Sequence, residues 1–155
     1  MRRRDYEDDP SAPPANSLIP AASTVVTDED GRVLLQRRAD NGMWALPGGA
    51  MHIGESLPEC AVRETREETG LEVEVVGIVG TYSNPRHVFA YNDGEVRQEF
   101  SICFLAHAVG GQLAVSSEST EVRWFKPEDV DDLPMVASVR KRVTDWRSGD
   151  MPALG

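Results

Sequence analysis

Short apolar stretches bounded by Gly, Asn and Asp alternate with two stretches whose apolar positions repeat at the helical period. Residues 18–27 read as a strand that ends at the Asp28-Glu29-Asp30-Gly31 turn, and residues 32–38 (RVLLQRR) as the returning arm of a hairpin. Residues 71–82 carry Val73, Val75, Val76, Ile78 and Val79 and read as a further strand. Across residues 95–109, Phe100, Ile102 and Phe104 alternate with Ser101, Cys103 and Leu105, which predicts a long central strand buried on both faces. Asn92-Asp93-Gly94 is a hairpin signal, Gly110-Gly111 another tight turn, and residues 122–125 a last strand.

The helical stretches are residues 56–70 and 136–147. Ser56 is placed to cap the first, Glu59 three residues later completes a capping box, Pro58 falls in the first turn and Gly70 where the C-terminal cap belongs. In the second, Val136, Val139, Val143 and Trp146 form an apolar stripe, and Arg140, Lys141 and Arg142 are expected on a solvated face. Pro127-Glu128-Asp129-Val130 reads as a short helix start.

Composition narrows the class. A chain of 155 residues favours one domain with a core of ordinary size. Residues 1–17, charged and then rich in Pro, Ala and Ser, lack the apolar surface to order themselves and are expected to be a disordered tail. Residues 18–150 form the domain, and residues 151–155 are expected to fray. The net charge of −10 argues against binding a nucleic acid polymer. No apolar run approaches the ~18 residues of a membrane span, and no hydrophobic signal segment follows the N-terminal arginines. Cys60 and Cys103 suggest no disulfide framework and read as buried small hydrophobes, so a cytoplasmic setting is expected.

The chemistry concentrates in residues 48–71, GGAMHIGESLPECAVRETREETGL. Glu64, Glu67 and Glu68 stand at i, i+3 and i+4, so their carboxylates share one helical face and repel. A divalent cation reverses that repulsion, and oxygen ligands without His or Cys suit Mg²⁺ or Mn²⁺ rather than zinc. Arg63 can reach Glu67 at i+4, and Glu59 can reach Arg63. Alone, the three acids also fit a solvated acidic face tied by Glu–Arg pairs.

The spacing of Gly49, Glu55, Arg63-Glu64, Glu67-Glu68 and Gly70-Leu71 resembles the Nudix hydrolase box at every fixed Gly, Glu and Arg position. Thr65 departs from it where the family usually carries an aliphatic residue, which bears on packing and leaves the acids in place. The resemblance is strict over the box and looser over residues 18–146. It implies an α/β fold, the Nudix α/β/α sandwich, with a mixed sheet between the box helix and the C-terminal helix.

It also implies roles. Glu64, Glu67 and Glu68, with the carbonyl of Gly48, would hold Mg²⁺ (or Mn²⁺). Arg63, Glu64 and Glu118 are the catalytic candidates, Arg63 by positioning a ligand glutamate, and Glu64 or Glu118 by taking the proton of a metal-bound water. Glu121 is the reserve for Glu118. Gly49, Glu55 and Gly70 are structural positions of the box. Arg37 and Arg38 face opposite sides of a regular strand, and Arg37 is the candidate for substrate phosphate. Residues 83–92 are the expected specificity region, with Arg86 a substrate contact; His87 and Phe89 read equally well as a surface and a core residue. Trp44 reads as packing.

The implied reaction is hydrolysis of a pyrophosphate bond in a nucleoside diphosphate linked to another moiety. Pro85, fifteen residues beyond Gly70, lies near a proline of ADP-ribose-hydrolysing members, which points to ADP-ribose or a nucleotide sugar. The alternatives are a housecleaning hydrolase of noncanonical or oxidised (d)NTPs, and a catalytically silent nucleotide-binding or regulatory module, which the intact glutamate set disfavours. The expected partner is a small nucleotide, with pairing of two copies compatible with the family.

Overall fold

The computed structural model describes residues 3–155. In chain order it contains β1 (Arg3–Glu7), β2 (Ser17–Leu18), β3 (Ala21–Thr27), β4 (Val33–Arg38), β5 (Trp44–Ala45), β6 (Gly48–Ala50), α1 (Leu57–Thr69), β7 (Leu71–Tyr82), β8 (His87–Tyr91), β9 (Val96–Gln98), β10 (Ser101–Gly111), β11 (Ser119–Phe125), a 3₁₀ turn (Pro127–Val130), α2 (Ala137–Ser148) and β12 (Ala153–Leu154).

The main sheet runs β11-β4-β3-β10-β7-β12, with β5 beside β4 and β6 beside β3. It is mixed: β10 pairs with β3 in parallel and with β7 antiparallel. The predicted central position of residues 101–109 follows from that pairing, with Cys103 and Ala106 fully buried. One face packs Val25, Leu35 and Val79 against Val143 and Val139 of α2. The other packs Val26, Leu34 and Val73 against Val62 of α1, with Cys60 and Ala61 against Ala22 and Phe104. This is the expected α/β/α sandwich.

A second, smaller sheet, β1-β8-β9-β2, departs from the sequence reading. The run expected as one strand from residue 95 breaks at Glu99 and Phe100 into β9 and β10, which belong to different sheets. Within the segment read as a disordered tail, Arg3–Glu7 pairs antiparallel with His87–Tyr91. Asn16 adds a polar clasp: its amide nitrogen donates to the Gly94 carbonyl (3.0 Å) and its oxygen accepts from the Val96 N–H (2.9 Å). Main-chain pairing needs no apolar side chains, so composition does not reveal it. The same holds for β12, which pairs in parallel with β7 where fraying is expected. Met1 and Arg2 lie outside the described residues.

Candidate active site

Helix α1 starts and stops as its sequence demands. Ser56 Oγ accepts from the Glu59 N–H and the Glu59 carboxylate accepts from the Ser56 N–H, while Gly70 closes the helix at φ 81°. Thr65 is fully buried and its hydroxyl donates to the Ala61 carbonyl (2.7 Å), so the departure from an aliphatic residue leaves no polar atom unpaired. These constraints set the rotation of the helix and aim its acids at the Gly48–Ala50 strand.

Arg63 is the hub. Its Nε and one Nη donate to the two oxygens of Glu55 (2.9 and 2.8 Å), in the two-pronged geometry that guanidinium and carboxylate share. The same Nη donates to the Ala50 carbonyl (3.1 Å), and the other Nη donates to Glu64 (2.9 Å) and Glu67 (3.2 Å). One side chain thus ties the box loop to two acids of the helix. These bonds, with one from the His52 N–H, hold Glu55 down at about 2. Glu59 is engaged in the helix cap and forms no ion pair with Arg63, unlike the i+4 reading.

Glu64 lies over Gly49: a Cβ there would stand 2.6 Å from the Glu64 carboxyl carbon and would push that carboxylate out of its place. Glu68 is only 7% exposed. Burial and the neighbouring Glu64 charge push it up to about 8, against hydrogen bonds from the Gly48 N–H (3.1 Å) and the Gln36 amide. Glu67, 55% exposed, sits at the rim.

Two carboxylates one helical turn apart, Glu64 over Gly49 and Glu68 on the Gly48 N–H, fit a hard divalent cation. No three His, Cys, Asp or Glu side chains already converge on one point among the described residues, and Glu67 turns toward Arg63.

Beside the Gly48–Ala50 strand a pocket of about 250 Å³ is lined by Gly48, Gly49 and Ala50 and by Phe89 and Tyr91 of β8; Glu64, Glu67 and Glu68 are not part of its wall. Trp44 lines it and also packs edge-on against Phe125 at 4.8 Å, so its packing role stands beside a pocket role. His87, also on the wall, is 3% exposed rather than a surface residue.

The structure gathers Gly48, Gly49, Glu55, Arg63, Glu64, Glu67 and Glu68, and leaves other candidates elsewhere. Arg37 donates from Nε to the Gly42 carbonyl (2.9 Å), whereas Arg38 lines the pocket. Gln36 reaches Glu68, and strand alternation puts Arg38 on that same side and Arg37 on the other. Arg86 is 79% exposed, paired with Asp8 at 3.1 Å and away from the pocket wall. Glu118 sits in an exposed turn beside the end of β4, its carbonyl accepting from the Ala39 N–H (2.9 Å). Glu121 is paired with Arg123 at 3.4 Å. Among the described residues neither of these glutamates is bonded to the box acids.

Sequence reasoning passed over Gln36, Glu99 and Arg142. Gln36 is the lone polar residue inside the apolar part of β4. Arg142, expected in solvent, is 7% exposed and donates to Glu99 at 2.7 Å. At about 100° per residue three consecutive basic residues cannot share a helix face. Arg142 follows Val139 by three, which places it beside the apolar stripe. Burial alone would raise Glu99, but His87 and Arg142 overcome it and hold Glu99 at about 2. Cys60 and Cys103 are free and buried as expected, and burial pushes both thiols up to about 11.

The NUDIX domain profile matches residues 17–147. A MutT-like protein of Streptomyces ambofaciens is 39% identical over 122 residues, 79% of this chain and 71% of that one. An ADP-ribose pyrophosphatase of Methanocaldococcus jannaschii is 33% identical over 132 residues, 80% of this chain and 72% of its own length. The crystal structure of a MutT protein from Methanosarcina mazei superposes with a TM-score of 0.68 at 26% identity, covering 86% of this chain and 96% of that one. Box, sandwich and relatives agree: the chain belongs to the Nudix hydrolases and is a pyrophosphohydrolase of that family.

Proposed function

We propose that this chain hydrolyses the pyrophosphate bond of a nucleoside diphosphate linked to a second moiety, ADP-ribose or a nucleotide sugar, with Mg²⁺ or Mn²⁺ bound at the box. The observation that carries this reading is the continuity of the pocket. Its wall includes Gly48 and Gly49, the glycines that Glu68 and Glu64 touch from the helix side, and the rings of Phe89 and Tyr91 on β8, which would give a diphosphate and a flanking nucleoside separate places. The similarity to a protein named ADP-ribose pyrophosphatase supports the same choice.

Glu64, Glu67 and Glu68 would hold the cation, with the Gly48 peptide beside them. When bound, the ion supplies charge neutralisation for the diphosphate and makes a water molecule acidic. Of the two candidates for accepting a proton from the attacking water, Glu64 is favoured, since it faces the box loop while Glu118 lies in an exposed turn. The attacking oxygen forms a new bond to phosphorus, the bridging P–O bond breaks, and the departing phosphate takes the electron pair. Arg63 bonds to Glu64 and Glu67 and would act by holding them in place. The free, buried cysteines fit a reducing cytoplasm.

The test is a product assay with Mg²⁺ on ADP-ribose, nucleotide sugars, dinucleoside polyphosphates, and normal and oxidised dNTPs, with Glu68→Gln as the blank. Release of AMP from ADP-ribose, absent in the variant, is expected. Pyrophosphate release from dNTPs alone would replace this reading with a triphosphatase. Metal binding without turnover of any substrate would replace it with a nucleotide-binding module.

A further inference from the structure

The strand β1 does more than extend the small sheet. Its register places Arg3 opposite Tyr91 and Asp5 opposite Phe89, and Phe89 is in turn opposite Arg97 on β9. Residues directly opposite in a sheet project to the same side, so Arg3, Asp5, Phe89, Tyr91 and Arg97 form one face. That face lines the pocket leading to Gly48 and Gly49.

The chemistry of this face is flat, with each guanidinium paired to a carboxylate. The Arg3 guanidinium lies 4.6 Å from the centre of the Phe89 ring, and the Arg97 guanidinium 4.6 Å from that of Tyr91. Asp5 holds Arg3 at 2.8 Å, and Glu95 holds Arg97 at 2.8 Å, so each planar cation is oriented over its ring. Across the cleft, Arg38 at the end of β4 is paired with Asp40. Burial works against the Arg38 charge, and Asp40, then Asp5 and Glu68, favour it. Arg3 likewise adds to the forces that lower Asp40. Arg3 and Asp5 of the first strand thus line the same pocket as Arg38 at the end of β4.

We infer that β1 is a wall of the substrate pocket, and that Arg3 and Phe89 are specificity-determining residues which hold the aromatic base of the nucleotide by stacking. This rests on the pyrophosphohydrolase reading and adds the location of the base. Stacking suits every base, because each presents a π face to a ring or to a guanidinium plane. The contact is remote from the box acids and is made equally before and during bond cleavage, so it acts on KM and leaves kcat in place.

The experiment uses the full chain with Mg²⁺ and compares wild type with Arg3→Ala, Phe89→Leu and Asp5→Asn. Two substrates are assayed: ADP-ribose, and a base-free diphosphate joining two ribose 5-phosphates. For ADP-ribose, KM is expected to rise ~10-fold in Arg3→Ala and Phe89→Leu with kcat within ~2-fold. For the base-free diphosphate KM should not move. Circular dichroism melts identify a variant that fails to fold, and Asp5→Asn then carries the comparison. An unchanged KM for ADP-ribose, or an equal rise for both substrates, overturns the assignment. If wild type turns over no nucleotide, so that the functional reading itself fails, titration of AMP followed by tryptophan fluorescence decides. Weaker AMP binding in Arg3→Ala upholds the wall, and unchanged or undetectable binding overturns it.

Discussion

The side-chain amide of Gln36 donates to Oε2 of Glu68, the same oxygen that accepts the Gly48 N–H. A strand in the sheet thus holds a helix carboxyl group and opposes, without overcoming, the burial and the Glu64 charge that drive it toward its neutral form. Gln36→Ala is expected to weaken Mn²⁺ affinity about 10–100-fold, the range for removing a partner that orients a metal ligand. Isothermal titration with Mn²⁺ checks this, and an unchanged affinity would show that Gly48 alone suffices.

Arg63 tests whether the loop–helix tie matters as geometry or as charge. Its fork spans Glu55, while its remaining donors reach Ala50, Glu64 and Glu67. A lysine keeps the charge but offers a single flexible ammonium in place of a planar fork. Arg63→Lys is therefore expected to lower kcat by about 100-fold, the scale of a small misplacement in an active site. A kcat near wild type in this variant would mean that charge alone orders the loop.

How far the sequence goes is instructive here. Caps, periodicity and box spacing locate α1, its acids and the sandwich, because those features act within a few residues of themselves. The small sheet was hidden: Arg3–Glu7 and His87–Tyr91 are joined by main-chain pairing across the chain, and no side-chain pattern advertises it. Alternation says only that Arg37 and Arg38 diverge, and the contact from Gln36 to Glu68 is needed to choose the side. Glu99 and Arg142 look like surface residues in isolation, since a buried charge is recognisable only with its partner.

The Glu99–Arg142 pair carries a pH dependence whose sign is determined. Glu99 is held at about 2 in the folded chain, below its ordinary 4.5, so its stabilising contribution is present above about 4.5 and is lost as pH falls toward 2. Glu99→Gln leaves Arg142 without its carboxylate, an uncompensated buried charge that costs about 3 kcal/mol. For a chain of this size that is roughly 6–12 °C in melting temperature at pH 7. Thermal melts from pH 7 to pH 2 should show wild type and variant converging at the acid end. A gap that stays constant would mean that the pair contributes by packing alone.

Glu68→Gln separates what the site does from what it costs. Glu64 and Glu68 are like charges on one helix face, and Glu68 is 7% exposed. A glutamine keeps the shape and can still accept the bonds from Gly48 and Gln36, but it cannot ionise to meet a cation. In the absence of divalent metal the variant is expected to melt close to the wild-type temperature at pH 7, where Glu68 is held largely protonated, and above it at pH 9, where the buried carboxylate must ionise beside Glu64. With Mg²⁺ its turnover is expected to fall at least ~100-fold, because a neutral amide is a poor ligand for a hard cation. Added Mg²⁺ should raise the melting temperature of wild type and barely move that of the variant. A variant that melts lower without metal, yet still gains stability from Mg²⁺, would show that Glu68 serves the fold and that the cation is held by Glu64 and Glu67 without it.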